Sequence, residues 1–181
     1  MTRYAALLRG IAPSGKNQSN EQLRGVFERL GFAKVASVLA SGNIVFDSTE
    51  TDVPRLENSI EEALVADLDL NRNAIVRSLA ELRALLASDP FEGLVHQRGT
   101  YLTVTFFKDA PTVELITEHP DGLTKVVGYD PDARAVLAII DNSDPGKTPD
   151  FMQWLERAYG KSITTRTWLT VERIVRKLES R

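Results

Sequence analysis

The sequence predicts an α+β fold of two ferredoxin-like β-α-β-β-α-β halves with antiparallel sheets, plus a linker helix and a C-terminal helix. Three observations predict it. Short apolar runs alternate with stretches of helical periodicity, and the order repeats after a polar connection at 88–100. Each half also carries a hairpin signal after its first helix, Ser41-Gly42-Asn43 in one and Asp130-Pro131-Asp132 in the other. A hairpin at that point excludes a doubly wound parallel sheet, which needs a crossover there. The first half takes residues 1–78, the linker helix and loop 79–100, and the second half with the last helix 101–181. The halves share element order without obvious sequence similarity.

Residues 3–9 form an apolar run with β character, and 4–8 is apolar on both faces, as suits a sheet covered on both sides. Ser19 or Asn20 caps a helix with Leu23, Val26, Phe27 and Leu30 on one face, and Gly31 stops it. Val35 to Ala40 and Ile44 to Phe46 read as strands of a tight hairpin. Asp52 starts the second helix, with Pro54 in its first turn and Leu56, Ile60 and Leu64 at helical spacing. A strand at Ala74 to Arg77 precedes a capping box, Ser78 with Glu81, and a helix through Ala87. In the second half Tyr101 to Phe107 alternates as a strand, and Pro111 opens a short helix ending near His119-Pro120. Strands at Leu123 to Tyr129 and Arg134 to Ile140 follow. Asp150 caps a helix stopped by Gly160, and a strand at Ser162 to Thr164 leads to a helix with Val171, Ile174, Val175 and Leu178 on one face.

The chain has 181 residues, 43% of them hydrophobic and 26% charged, enough to bury a core in one large domain or two small ones. It has no Cys, which excludes disulfides, thiolate catalysis and cysteine metal sites. With only His96 and His119, no metal or cofactor is assigned, and His96 is read as an exposed loop residue. The apolar stretch Tyr4 to Leu8 is too short for a signal sequence or membrane span, so a cytoplasmic protein is expected. Net charge is −3, but unevenly spread. Residues 1–50 hold six Lys/Arg against four Asp/Glu, 151–181 seven against three, and the middle nine against eighteen. If the basic ends meet, they make one positive region on a negative surface.

Residues 4–17, YAALLRGIAPSGKN, place Gly10, Gly15 and Lys16 at the spacing of a phosphate-cradling loop. Asn17 stands where that loop needs a magnesium-holding hydroxyl, and the helix begins near Asn20 rather than at the lysine. Near the other end, Thr164-Thr165-Arg166-Thr167-Trp168 reads as a helix start. Its N–H groups favour an anion, and Arg166 could add a forked contact; the alternative is a plain N-cap anchored by Trp168. Ser41-Gly42-Asn43 reads as a turn at the sheet end opposite the first β-α loop. Arg173, Arg176 and Lys177 read as a solvated face of the last helix.

LLRGI…GKN, VLASGNIVFDS and TTRTW together make the chain similar to a bacterial family designated domain of unknown function 1697. The resemblance implies duplicated ferredoxin-like halves and no known activity. This chain departs from it at Ala12-Pro13-Ser14, which stiffens the first loop, and at Thr167, where Asn is common.

Three functional classes follow. The first is a binding protein or enzyme for a small phosphate- or carboxylate-bearing ligand, held by Arg9, Gly10, Lys16, Asn17, Thr164, Thr165 and Arg166. No general base or nucleophile stands out, so binding is favoured over catalysis. In this reading Arg166 lies near Arg9 or Lys16. The second is a single-stranded nucleic-acid module using Tyr101 and Phe107, disfavoured by the acidic balance. The third is a structural or interaction protein. Oligomeric state is not specified by the sequence.

Overall fold

In the computed structural model, which describes residues 1–117, 119–147 and 149–181, the first apolar run becomes β1 (Thr2–Leu8). The chain continues through α1 (Asn20–Arg29), β2 (Ala33–Ser37), β3 (Asn43–Ser48), α2 (Val53–Leu68), β4 (Ala74–Ser78) and α3 (Leu79–Ala87). After a connection come β5 (Thr100–Phe107), β6 (Thr124–Asp130), β7 (Ala135–Asp141), α4 (Phe151–Tyr159), β8 (Ile163–Thr167) and α5 (Trp168–Glu179). Two four-stranded antiparallel sheets result, β2-β3-β1-β4 and β6-β7-β5-β8, the same order in each half. The fold is α+β, as the sequence predicts. Contacts divide the chain into one unit of Met1–Arg83 with Arg173–Arg181 and a second of Ala84–Glu172.

In the first unit, one face of the sheet packs Tyr4, Ala6, Leu8, Ile44, Phe46 and Val76 under Leu23, Val26 and Phe27 of α1 and Leu56, Ile60 and Leu64 of α2. The opposite face is also buried, through Ala5, Leu7, Val45 and Ile75. The local signals work as their chemistry requires. Ser19 and Gln22 form a reciprocal capping box, Asp52 caps α2 through Arg55 N, and Ser78 exchanges bonds with Glu81. The C-terminal segment is tied into this unit by Arg3 donating to Leu178 O at 3.1 Å and by Arg181 donating to Asp47 at 3.1 Å and to Lys34 O. The first unit therefore contains the basic stretch 1–50 and four of the seven cations of 151–181, Arg173, Arg176, Lys177 and Arg181.

Strand β4 is a sheet edge, and α2 covers it with carboxylates. Glu61 Oε1 accepts from Ala74 N and Glu57 Oε1 from Val76 N, both at 2.9 Å. Four residues of helix advance about 6 Å, and two residues of strand about 6.6 Å, so the two repeats match. Glu57 also lies 4.0 Å from Arg77, and both side chains are almost fully buried.

In the second unit Phe107, Val136, Ala138, Ile140 and Ile163 pack against Phe151 and Leu155 of α4. Three expectations need correction here. No described residue of 111–119 is helical, and Glu118 within that segment lies outside the described residues. Prolines flank the segment, and Thr112, Val113, Ile116 and Thr117 are β-branched, so its intrinsic helix tendency is low. Asp150 stands at the N-cap of α4 but makes no side-chain cap bond. The strand expected at 162–164 runs on to Thr167, because Thr164, Thr165, Arg166 and Thr167 pair with Phe106, Thr105, Val104 and Thr103 of β5.

Glu57→Ala is expected to cost about 1–3 kcal/mol, because it leaves the buried Val76 N–H without its acceptor. Glu57→Gln keeps an acceptor and is expected to cost less. Urea unfolding measures both; a loss below about 1 kcal/mol for the alanine variant would show that α2 does not hold the edge.

Candidate functional site

The β1–α1 segment has a tied backbone. Arg9 N donates to Asn73 O at 3.0 Å, and Gly10 O accepts from Arg72 Nε at 3.2 Å. Asn17, at φ 59°, donates to Leu68 O at the end of α2 and accepts from Gln22 at 3.3 Å. Its amide thus joins two helix ends. Lys16 is exposed and makes no ion pair among the described residues. The helix starts at Asn20, four residues beyond Lys16, after a strand with antiparallel neighbours on both sides. A nucleotide loop needs the helix N-terminus directly beneath it, after a parallel strand.

Thr164, Thr165 and Arg166 belong to β8, not to a helix N-terminus. The cap of α5 is Thr167, whose Oγ1 accepts from Thr170 N at 3.3 Å. The β-branched run favours the extended backbone and finds its partner strand in β5. Arg166 donates to Thr164 Oγ1 at 2.8 Å and to Thr165 O at 2.9 Å. Burial lowers its pKa to about 10, which leaves the guanidinium charged at neutral pH. Arg9, Gly10, Lys16 and Asn17 lie in the first unit; Thr164, Thr165 and Arg166 lie in the second.

The Ser41-Gly42-Asn43 turn requires a further correction. It lies at the same sheet end as the β1–α1 loop, since β3 runs antiparallel to β1 with Asn43 opposite Leu7 and Leu8 N bonded to Gly42 O at 2.8 Å. Gly42 has φ +79°, and a Cβ there would come 2.7 Å from Ile11. The connection is also wider than a tight hairpin. It spans 38–42, closed by Val38 N donating to Asn43 O at 2.9 Å.

That wide loop forms a groove the sequence reading missed. Ser37, Val38 and Leu39 face Arg173, Arg176, Lys177 and Ser180 around a cavity of about 430 Å³. Positions 173, 176, 177 and 180 share one face of α5, beside the buried stripe of Val171, Ile174, Val175 and Leu178. Arg24 of α1 donates to Ser37 Oγ at 2.8 Å, on the sheet face that carries Ile44 and packs under α1. None of Arg24, Arg173, Arg176 and Lys177 forms an ion pair among the described residues. Glu179, the carboxylate on the same helix turn, is taken by Arg83 at 2.6 Å. The i, i+3, i+4, i+7 spacing was visible in the sequence; the apolar loop opposite it was not.

In the second unit, His119 has Nδ1 2.7 Å from Asp121 Oδ1 and Nε2 2.7 Å from Asp150 Oδ1. By donor type these three residues could hold a cation. However, Arg157 already lies 3.1 Å from Asp150 Oδ2, and the ring nitrogens sit at hydrogen-bond distance from both carboxylates. The arrangement ties the 119–121 turn to the start of α4, which explains why Asp150 leaves the cap bond unmade. His96 is likewise engaged, accepting from Leu102 N at 3.1 Å and stacking on Tyr101.

A family model described as "Protein of unknown function (DUF1697)" matches residues 1–127. The chain belongs to this family. Conserved bacterial protein SP0830 from Streptococcus pneumoniae is a structural relative at 20% identity, with a TM-score of 0.73 and 99% of each chain covered. At that identity the likeness establishes the shared fold. No curated protein matches the chain. Among the described residues no helix is long and apolar enough to cross a membrane.

Lys16→Ala is expected to leave ATP affinity unchanged, and Asn17→Ser is expected to create no magnesium-dependent ATP binding although it restores the hydroxyl. Isothermal titration with Mg-ATP checks both. ATP binding that Lys16→Ala abolishes would reinstate the nucleotide-loop reading.

Proposed function

We propose that this protein binds a small anionic, phosphate- or carboxylate-bearing ligand, and that the basic groove of the first unit is where it binds. The observation that carries the reading is the row of three exposed cations, Arg173, Arg176 and Lys177, along one cavity, with no ion pair among the described residues. Like charges brought together repel one another, and an anion between them removes that repulsion. Ser180, whose hydroxyl donates to Lys177 O, keeps lone pairs on its oxygen at the end of the same row. No nucleophile with an adjacent base lines the groove, so the reading is of binding rather than turnover.

Titration with inorganic phosphate, followed by thermal unfolding, tests this. Wild-type protein is expected to gain stability with phosphate at low ionic strength and to lose that gain as sodium chloride is raised. Each charge-assisted bond contributes about 1.5–3 kcal/mol, so Arg176→Ala with Lys177→Ala is expected to abolish the gain. These side chains are exposed, so the unliganded midpoint is expected to stay where it was. A gain that survives this double substitution but disappears in Lys16→Ala or Arg166→Ala would move the site to the residues first singled out in the sequence. No gain at any phosphate concentration would overturn the reading.

A further inference from the structure

We infer that the groove takes an organic phosphate, with the phosphate on the α5 stripe and an apolar, flat body against Leu39; this rests on the anion-binding reading above. The first argument is size. The groove is an open depression with about 430 Å³ of space, more than a lone tetrahedral anion fills.

The second is the division of chemistry across the groove. The cations and Ser180 line the α5 side, while Val38 and Leu39 supply the apolar surface on the side of the 38–42 loop. Val38 is buried, but Leu39 is 44% exposed, so a ligand resting on it covers apolar surface that water now wets.

The third is the backbone at Leu39. Its φ is +59°, in the left-handed region, where a residue with a Cβ is disfavoured. Asn20 Nδ2 holds Leu39 O at 2.8 Å, and the Val38–Asn43 bond closes the loop beneath it. A strained, exposed leucine fixed from two sides is poor local chemistry unless its side chain has a task. Glycine or asparagine would fit that backbone better.

The cation stripe from Arg173 to Ser180 covers about 10 Å of helix. That length suits one phosphate group together with its ester-linked body. The net charge of −3 disfavours a longer polyanion approaching the whole surface.

Isothermal titration on the full-length protein with inorganic phosphate and with phenyl phosphate tests the inference. Phenyl phosphate is expected to bind about tenfold or more tightly, because its ring covers Leu39. Leu39→Asn tolerates the left-handed backbone, so its thermal midpoint is expected to match or exceed that of the wild type. It is expected to bring the two affinities together while phosphate binding persists. Arg176→Ala with Lys177→Ala is expected to weaken both ligands by tenfold or more. Equal affinities for the two ligands in wild-type protein would overturn this inference and leave anion binding intact, whereas absence of binding by either would overturn both. A ratio unchanged in Leu39→Asn would overturn the placement of the ring. Affinity for single-stranded oligonucleotides that exceeds that of phenyl phosphate and rises with length would replace the small ligand with a nucleic acid.

Discussion

Two carboxylates on one face of α2 govern the first unit. Glu57 and Glu61 satisfy the outward N–H groups of β4 at the spacing the helix and strand repeats dictate. The edge strand is thereby closed to pairing with another chain. β4 in turn aligns β1 in a fixed register, and β1 aligns β3. At the far end of β3 the chain turns through 38–42, and there it forms one wall of the basic groove. The groove lies at the end of a series of constraints whose first member is a helix side chain on the other edge of the sheet.

The parts of this fold legible in the sequence are those decided within a few residues. Ser19 at the start of α1, Asp52 accepting from Arg55 N, and Ser78 with Glu81 are local capping solutions, and each sits where its chemistry predicts. What escaped was decided at a distance. Thr164 to Thr167 read as a helix start until β5 offers a partner strand. Leu39 adopts a backbone its residue type does not suggest, because Asn20, nineteen positions earlier, bonds to its carbonyl. The helix expected at 111–119 rests on Pro111 alone, while the segment's β-branched content points the other way. The groove was invisible for the same reason. Its two walls are more than 130 positions apart, and only the fold brings Arg173 to Ser37.

A competing explanation of the cation stripe is that it compensates the helix dipole. Arg176 and Lys177 lie in the last turn of α5, where cations stabilise the exposed carbonyls by about 0.3–1 kcal/mol each. That accounts for two of the three charges that line the groove. Arg173 precedes the last turn. The dipole effect fades within one turn, so it gives no reason for this cation to be there. An anion held among the three does. The dipole and ligand readings also diverge in their response to salt. Dipole compensation is screened and adds little at any phosphate concentration, whereas a bound anion stabilises in proportion to its occupancy. Arg176 and Lys177 therefore have a structural reason to stand where they do, whereas Arg173 gains one when the groove is filled.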